Sequence, residues 1–268
     1  MYEISMNNRS LLAPYYKNST DSSIYSVLQG YMGRAFVDDE NYIKHTMLLQ
    51  GDFIFPSGLE DEFDESIAIQ MLEEMKQWID LSDALVIPQN IAWHSFLSQQ
   101  PQVRVIKRYA MSKMRLCDFD WKNLETMVSQ LPNSFTYQRF DESICDLAMS
   151  MDWSKDFCSN FESSQDFMRR GIGVAIFKDQ EFVCGASSYT VYDQGIEVEI
   201  TTKPTYRRMG LASCCAAKLM LECRKEGKTP NWDAANQTSV AIAEKLGFSY
   251  LGDYDTFVFA NNWRVEHG

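Results

Sequence analysis

The sequence predicts an α+β protein, and three observations predict it. Segments with period-2 alternation and segments with helical spacing follow one another over the C-terminal half in the order β-α-α-β-β-β-α-β-α-β-β. A glycine loop, Arg207-Arg208-Met209-Gly210-Leu211-Ala212, sits at one strand-to-helix junction. A chain of 268 residues with 45% hydrophobic and 13% aromatic content can build a sizeable core, as one large domain or two ordinary ones. The pattern divides the chain into an N-terminal α/β half, residues 1–124, and a C-terminal half, residues 125–268.

In the C-terminal half, 135–140 reads as a short strand. A helix begins at Asp141-Glu142-Ser143, with acids in its first turn where the helix dipole favours them. A second helical stretch is expected over 154–170, ending at Gly171. Strands follow over 172–177 and 181–192 around the turn 178–180, then 196–202. The helix 211–225 is closed by Gly227 and Pro230. A strand over 231–234, a helix over 238–246 stopped by Gly247, and strands over 248–254 and 256–259 complete the half.

The N-terminal half is less regular. A long amphipathic helix is expected over 59–81, its acidic start Glu60–Glu65 suiting a solvated helix end. Residues 46–55 form one long strand or two short ones. Residues 85–111 run strand, Asn90, helix, strand, which parallels 231–259 around Asn236. This half therefore reads as a decayed copy of the other without its glycine loop. Gln29-Gly30-Tyr31-Met32-Gly33 has the wrong spacing for such a loop, and Asp38-Asp39-Glu40 beside it would repel phosphate, so a plain turn accounts for those glycines.

Composition narrows the function. The formal charge is −12, and the acidic excess is spread over both halves, which disfavours nucleic acid and anionic membranes as partners. No stretch has the length of a membrane span or the form of a signal peptide, so the chain reads as soluble and cytoplasmic. Seven cysteines without paired spacing read as reduced, buried thiols. Cys214 and Cys215 have no accompanying histidine, and His45, His94 and His267 are far apart, so neither a metal site nor a nucleophile–histidine pair is expected.

The glycine loop carries chemistry. A helix start has backbone N–H groups without intrahelical partners and a partial positive charge, and phosphates bind there. Gly210 permits dihedrals closed to other residues, Ala212 is small, and Arg207 and Arg208 add positive charge. With the strand–loop block Ile200-Thr201-Thr202-Lys203-Pro204-Thr205-Tyr206-Arg207 and the later block Asn236-Gln237-Thr238-Ser239…Glu244-Lys245-Leu246-Gly247-Phe248, the loop resembles the GNAT N-acetyltransferases. Within them, 197–202, 230–236 and the long N-terminal extension are similar to the zwittermicin-resistance-type family.

The resemblance implies a GNAT fold over 125–268: a mixed, mostly antiparallel sheet flanked by helices. It implies acetyl-CoA as co-substrate, held by Ile200, Thr201, Thr202, Arg207, Arg208, Met209, Gly210, Leu211, Ala212, Ser213, Asn236 and Ser239, with no metal. The acceptor expected is a primary amine of a small molecule, with antibiotic resistance as one setting. The alternatives are a non-catalytic CoA-binding sensor and a peptide or protein acceptor. An amine near pKa 10 must lose a proton before it attacks a thioester. Glu197 and Glu199 alternate with Ile196, Val198 and Ile200, so both face one side of a strand and either suits the base. Many members carry a Tyr seven residues after the Asn to protonate the CoA thiolate. Ala243 stands there, with Tyr206, Tyr250 and Tyr254 as substitutes for which core packing is the plainer role. Trp232 and Asp233 suit either core packing or an acceptor pocket. The sequence leaves the oligomeric state open.

Overall fold

A computed structural model describes residues 1–260. The described chain forms two compact units, one of Met1–Arg108 with residues 254–260, the other of Tyr109–Asp253.

The first unit contains β1 (Tyr2–Glu3), a 3-10 segment (Met6–Tyr16), α1 (Ser22–Leu28), β2 (Arg34–Val37), β3 (His45–Gln50), β4 (Phe53–Gly58), α2 (Glu65–Met75), β5 (Leu85–Val86), α3 (Ile91–Ser98) and the start of β6 (Val103–Met111). Its strands are ordered β1-β2-β3-β4-β5, with Phe257 of the last strand beside Val86. The β4–β5 pair is parallel and the others are antiparallel. Trp93, Phe36, Met47, Leu72 and Phe257 fill one core cluster. The stretch 46–55 is two strands, because Gly51 turns the chain at φ +58°. The helix expected over 59–81 is shorter at both ends. Asp64 caps α2 by accepting the N–H groups of Ser66 and Ile67, which leaves Glu60–Glu62 as a separate 3-10 turn. Beyond Met75, Asp80 accepts from the Ser82 N–H and draws the chain into a turn.

The second unit contains the end of β6, α4 (Trp121–Ser129), β7 (Phe135–Arg139), α5 (Glu142–Met149), α6 (Ser164–Arg170), β8 (Gly173–Lys178), β9 (Glu181–Tyr192), β10 (Gly195–Thr202), α7 (Leu211–Lys225), β11 (Thr229–Asn231), β12 (Asp233–Ala234), α8 (Gln237–Lys245) and the start of β13 (Tyr250–Phe259). The five-stranded sheet runs β7-β8-β9-β10-β11, antiparallel except for the parallel β10–β11 pair. Alternation along β9 and β10 and the apolar stripe of α7 produce these elements as the sequence predicts. Cys214, Cys215, Ala216 and Ala217 let α7 lie close on the sheet, with Cys215 Sγ 3.3 Å from the Val174 carbonyl oxygen. Burial pushes the thiols of Cys214, Cys215 and Cys223 up.

Three expectations change here. The helix over 154–170 is a 3-10 turn (Lys155–Phe157) and then α6, because the Ser163 side chain accepts from Asp166 N–H and starts a new helix. The strand over 231–234 is two strands, β11 and β12, with Pro230 inside the first and β12 paired to Tyr109 and Ala110 of β6. The two last strands are one, with Gly252 at φ +141° inside it.

Candidate active site

The site grows from a parting of strands. β10 pairs with β11 at Gly195–Thr229, Ile196–Pro230 and Glu197–Asn231. There the pairing stops, and β12 turns to β6 instead. Among the described residues no strand pairs with Val198–Thr202 on that side. Asn231 braces the vertex from inside: its Nδ2 donates to the Tyr192 hydroxyl at 2.8 Å and to the Ile196 carbonyl at 3.1 Å.

The same strand carries the two predicted carboxylates. Val198 and Ile200 pack into the cluster of Met220, Trp232 and Phe248, so Glu197 and Glu199 project to the opposite face. Glu199 stands opposite Ser187, is half-buried, and accepts the Thr201 hydroxyl at 2.9 Å. Glu197 is 7% exposed and stands at the vertex, between Thr190 on β9 and Asn231 on β11. The register of β9 and β10 shifts between Glu197 and Val198, with Tyr189 as the extra residue of a bulge. The Tyr189 carbonyl accepts from Asn160 Nδ2 at 3.1 Å, and Ser187 Oγ donates to the Phe157 carbonyl at 2.8 Å. Both bonds fasten the 155–160 loop to β9 beside the carboxylates.

β10 leads directly into the predicted phosphate loop. Gly210 is the N-cap of α7 at φ +78°, and no side chain caps that helix. A Cβ at Gly210 would meet no protein atom within 4 Å, so the left-handed backbone, not crowding, calls for glycine. At the start of α7, Ala212 and Ser213 are half-buried and Met209 is exposed. Arg208 has φ +64°, a left-handed conformation uncommon outside glycine and asparagine. The Arg207 guanidinium donates from Nε to the Thr202 carbonyl at 3.1 Å, tying the loop to the end of β10. Leu211 is a core residue, and Ile200 packs into the core by its side chain. Thr202 Oγ1 lies 3.2 Å from Cys184 Sγ.

Asn236 caps α8, its Oδ1 accepting from Ser239 N–H at 3.0 Å. Ser239 Oγ in turn accepts the indole N–H of Trp232 at 3.0 Å, which places Trp232 in the core rather than on a pocket wall. Ala243 is wholly buried, so the position where relatives are expected to carry a tyrosine faces packing here. The substitute tyrosines are differently engaged. Tyr206 donates to Glu181 at 2.6 Å, which pushes its phenol up, and Tyr250 is exposed with its ring against Tyr109, so neither is buried in the core as the sequence suggests. Tyr254 packs in the first unit.

Two histidines have partners that no local pattern signals. In the first unit, His94 Nε2 lies 2.9 Å from Asp255 Oδ2, and the buried His45 accepts the Asp64 N–H at Nε2, 3.2 Å away, with Asp38 3.6 Å from Nδ1. His267 lies outside the described residues. Sequence reasoning also missed Thr190 and the bulge before it; Ser188-Tyr189-Thr190 reads as uninterrupted strand.

A family model described as GNAT acetyltransferase matches residues 13–257. The chain belongs to the GNAT acetyltransferase family. It is an acetyltransferase, and 30% identical to a GCN5-related N-acetyltransferase-like protein from Streptococcus suis 89/1591, whose crystal structure it matches at a TM-score of 0.84 over 96% of this chain and 100% of that one. It is 26% identical over 242 residues to the N-acetyltransferase YdfB of Bacillus subtilis (strain 168), covering 87% of this chain and 88% of that protein. A tandem GNAT protein from the clavulanic acid biosynthesis pathway shares the fold at a TM-score of 0.56 and 10% identity, over 96% of each chain. No helix among the described residues is long and apolar enough to cross a membrane.

Proposed function

We propose that this GNAT acetyltransferase moves an acetyl group from acetyl-CoA to a primary amine of a small molecule in the cytoplasm. The observation that carries the reading is the parting of β10 from β11 directly ahead of the uncapped α7 N-terminus. The edge of β10 over Val198–Thr202 that faces away from β9 would receive the pantetheine arm as a strand-like partner. The amides of Leu211, Ala212 and Ser213, with Gly210, Arg207 and Arg208, would hold the pyrophosphate. Asn236 keeps Nδ2 for the pantetheine while Oδ1 caps α8. The co-substrate supplies a thioester, whose acyl carbon is open to amine attack.

The carboxylates divide the remaining work. Glu199, half-buried beside the open edge, attracts the ammonium form of the acceptor. Glu197, screened from bulk water at the vertex, takes its proton through a water molecule. The neutral amine then attacks, and a backbone N–H of β10 stabilises the oxygen that gains charge. The CoA thiolate leaves readily without a dedicated acid, since a free thiol has a pKa near about 8.5. The resemblance to the zwittermicin-resistance-type family supports an acceptor of the antibiotic or metabolite class.

The first unit is read as a degenerate copy of the second. Its β5 stays bonded to β4, with Ile87 N–H on the Ile54 carbonyl and Gln89 N–H on the Pro56 carbonyl, so no strands part. The start of α2 is filled by the Asp64 carboxylate, which would repel phosphate.

The test is thiol release from acetyl-CoA with a panel of polyamines, aminoglycosides and amino acids. With the best acceptor, Glu197→Gln is expected to depress kcat and remove the acidic limb of the pH profile, and Glu199→Gln to raise the KM of the amine. Unchanged rates in both variants and in the double variant would remove the assignment.

A further inference from the structure

We infer that Thr190 is a positioning residue for the acetyl transfer, its hydroxyl holding the water through which Glu197 receives the acceptor's proton; this rests on the reading of Glu197 as the base.

The geometry begins with the bulge. Between Ser188 and Thr190 the chain of β9 spends one extra residue, Tyr189, against β10. A single extra residue reverses which side chains face which side of a sheet. Ser188 is therefore the partner of Val198, on the α7 side, while Thr190 becomes the partner of Glu197, on the carboxylate side. Directly opposed side chains in such a pair have Cβ atoms roughly 5 Å apart. The Thr190 hydroxyl makes no direct hydrogen bond to Glu197 in the structure, so a water can bridge the two.

The hydroxyl itself is the second observation. Thr190 is wholly buried, and its Oγ1 has no hydrogen-bond partner among the described residues. A buried hydroxyl left this way is less favourable than a paired one. Valine has the same shape and would carry no such cost, and it would suit a strand at least as well. The neighbouring hydroxyls on β9 are not in this position. Ser187 donates to the Phe157 carbonyl, and Ser188 is bonded to both the N–H and the carbonyl of Ile172. Thr190 alone of these three hydroxyls is unspent, and it is the one opposite Glu197. On the other flank of Glu197, Asn231 donates to Tyr192 and Ile196. Thr190 is thus the flanking side chain with capacity for a relay.

An N–H bond of the acceptor ammonium breaks and its proton passes to the water. The water passes one of its own protons to a Glu197 oxygen, forming an O–H bond. The nitrogen retains the electron pair with which it attacks. The threonine hydroxyl accepts from or donates to the water and changes no bond of its own.

The test compares Thr190→Val, Thr190→Ser and Glu197→Gln in the full chain, with the acceptor that turns over best. Thr190→Val is expected to lower kcat/KM for the amine by about tenfold or more and to shift the acidic limb of the pH profile. Its acetyl-CoA affinity should stay at the wild-type value and its Tm should be equal or higher. Thr190→Ser, which keeps the hydroxyl, should restore most of the rate and the wild-type pH profile. A Thr190→Val enzyme with wild-type kcat/KM and pH profile overturns the proposal. So does equal loss in both threonine variants together with a lowered Tm, which marks a packing role. If Glu197→Gln is impaired and Thr190→Val is not, only the hydroxyl's role falls. If Glu197→Gln keeps the wild-type profile, the base assignment falls and the proposal with it.

Discussion

The indole N–H of Trp232 donates to the Ser239 hydroxyl at 3.0 Å, joining the residue at which β11 gives way to β12 to the first turn of α8. The bond spans the segment that ends with the Asn236 cap, so the break between β11 and β12 and the start of α8 are held as one piece.

Ser239→Ala removes the acceptor of a buried indole N–H. An unpaired buried N–H costs about 1–3 kcal/mol, so urea unfolding should show that loss. Ser239→Thr, which keeps the oxygen, should lose much less. Equal midpoints for alanine and wild type would mean the indole finds another acceptor.

Gly210→Ala separates stability from binding. A left-handed backbone costs an L-residue about 1–2 kcal/mol, and the added methyl meets no protein atom. Modest destabilisation is expected, together with a rise of about tenfold or more in the KM for acetyl-CoA, because the methyl enters the space in front of the α7 amides. Calorimetric titration with CoA reads this directly, and an unchanged affinity would place the pyrophosphate elsewhere.

Asn236 has a structural duty and a proposed binding duty. Asn236→Ala should cost about 1 kcal/mol through the lost cap. Asn236→Asp caps as well as asparagine, so stability should hold, but it loses the Nδ2 donor. Weakened CoA binding in the aspartate variant at wild-type stability assigns Nδ2 to the ligand.

His45 gives the first unit an acid limit. It is fully buried, accepts the Asp64 N–H, and its pKa is held down first by burial, against the opposing pull of Asp38. The unfolded chain then binds a proton near about pH 6.5 that the folded chain resists. Stability is full above that pH, falls as pH drops below it, and stops falling below the folded pKa. Asp64, whose pKa is lowered chiefly by the Ser66 hydroxyl and the Ile67 N–H, adds a loss at lower pH. His45→Gln keeps an acceptor for Asp64 and should flatten the urea midpoint between roughly pH 7 and 5. An unflattened curve would assign the limb to other groups.

Much of the site was legible in residue order. Alternation placed Glu197 and Glu199 on one face of a strand, and Gly210 announced a left-handed helix start beside two arginines. Asn236 was readable as a cap and is one. The bulge at Tyr189 was not legible, because it is set by pairing with a strand that lies elsewhere in the chain. The same holds for the break at Trp232. Residues 229–234 look continuous, and only competition between β10 and β6 for their backbone divides them. The over-long helix at 59–81 failed for a local reason: several acids compete to begin it, and Asp64 prevails by reaching two N–H groups.

Residue order settled local features: which segments alternate, where glycine permits a left-handed turn, and where a short polar side chain starts a helix. These follow from contacts a few residues apart. The parting of β10 from β11, the burial of Ala243, the pairing of His45 with Asp64 and the placing of Thr190 opposite Glu197 were decided only by the tertiary structure. Each depends on which distant backbone or side chain wins a hydrogen bond or a packing place, and residue order alone does not rank those competitors.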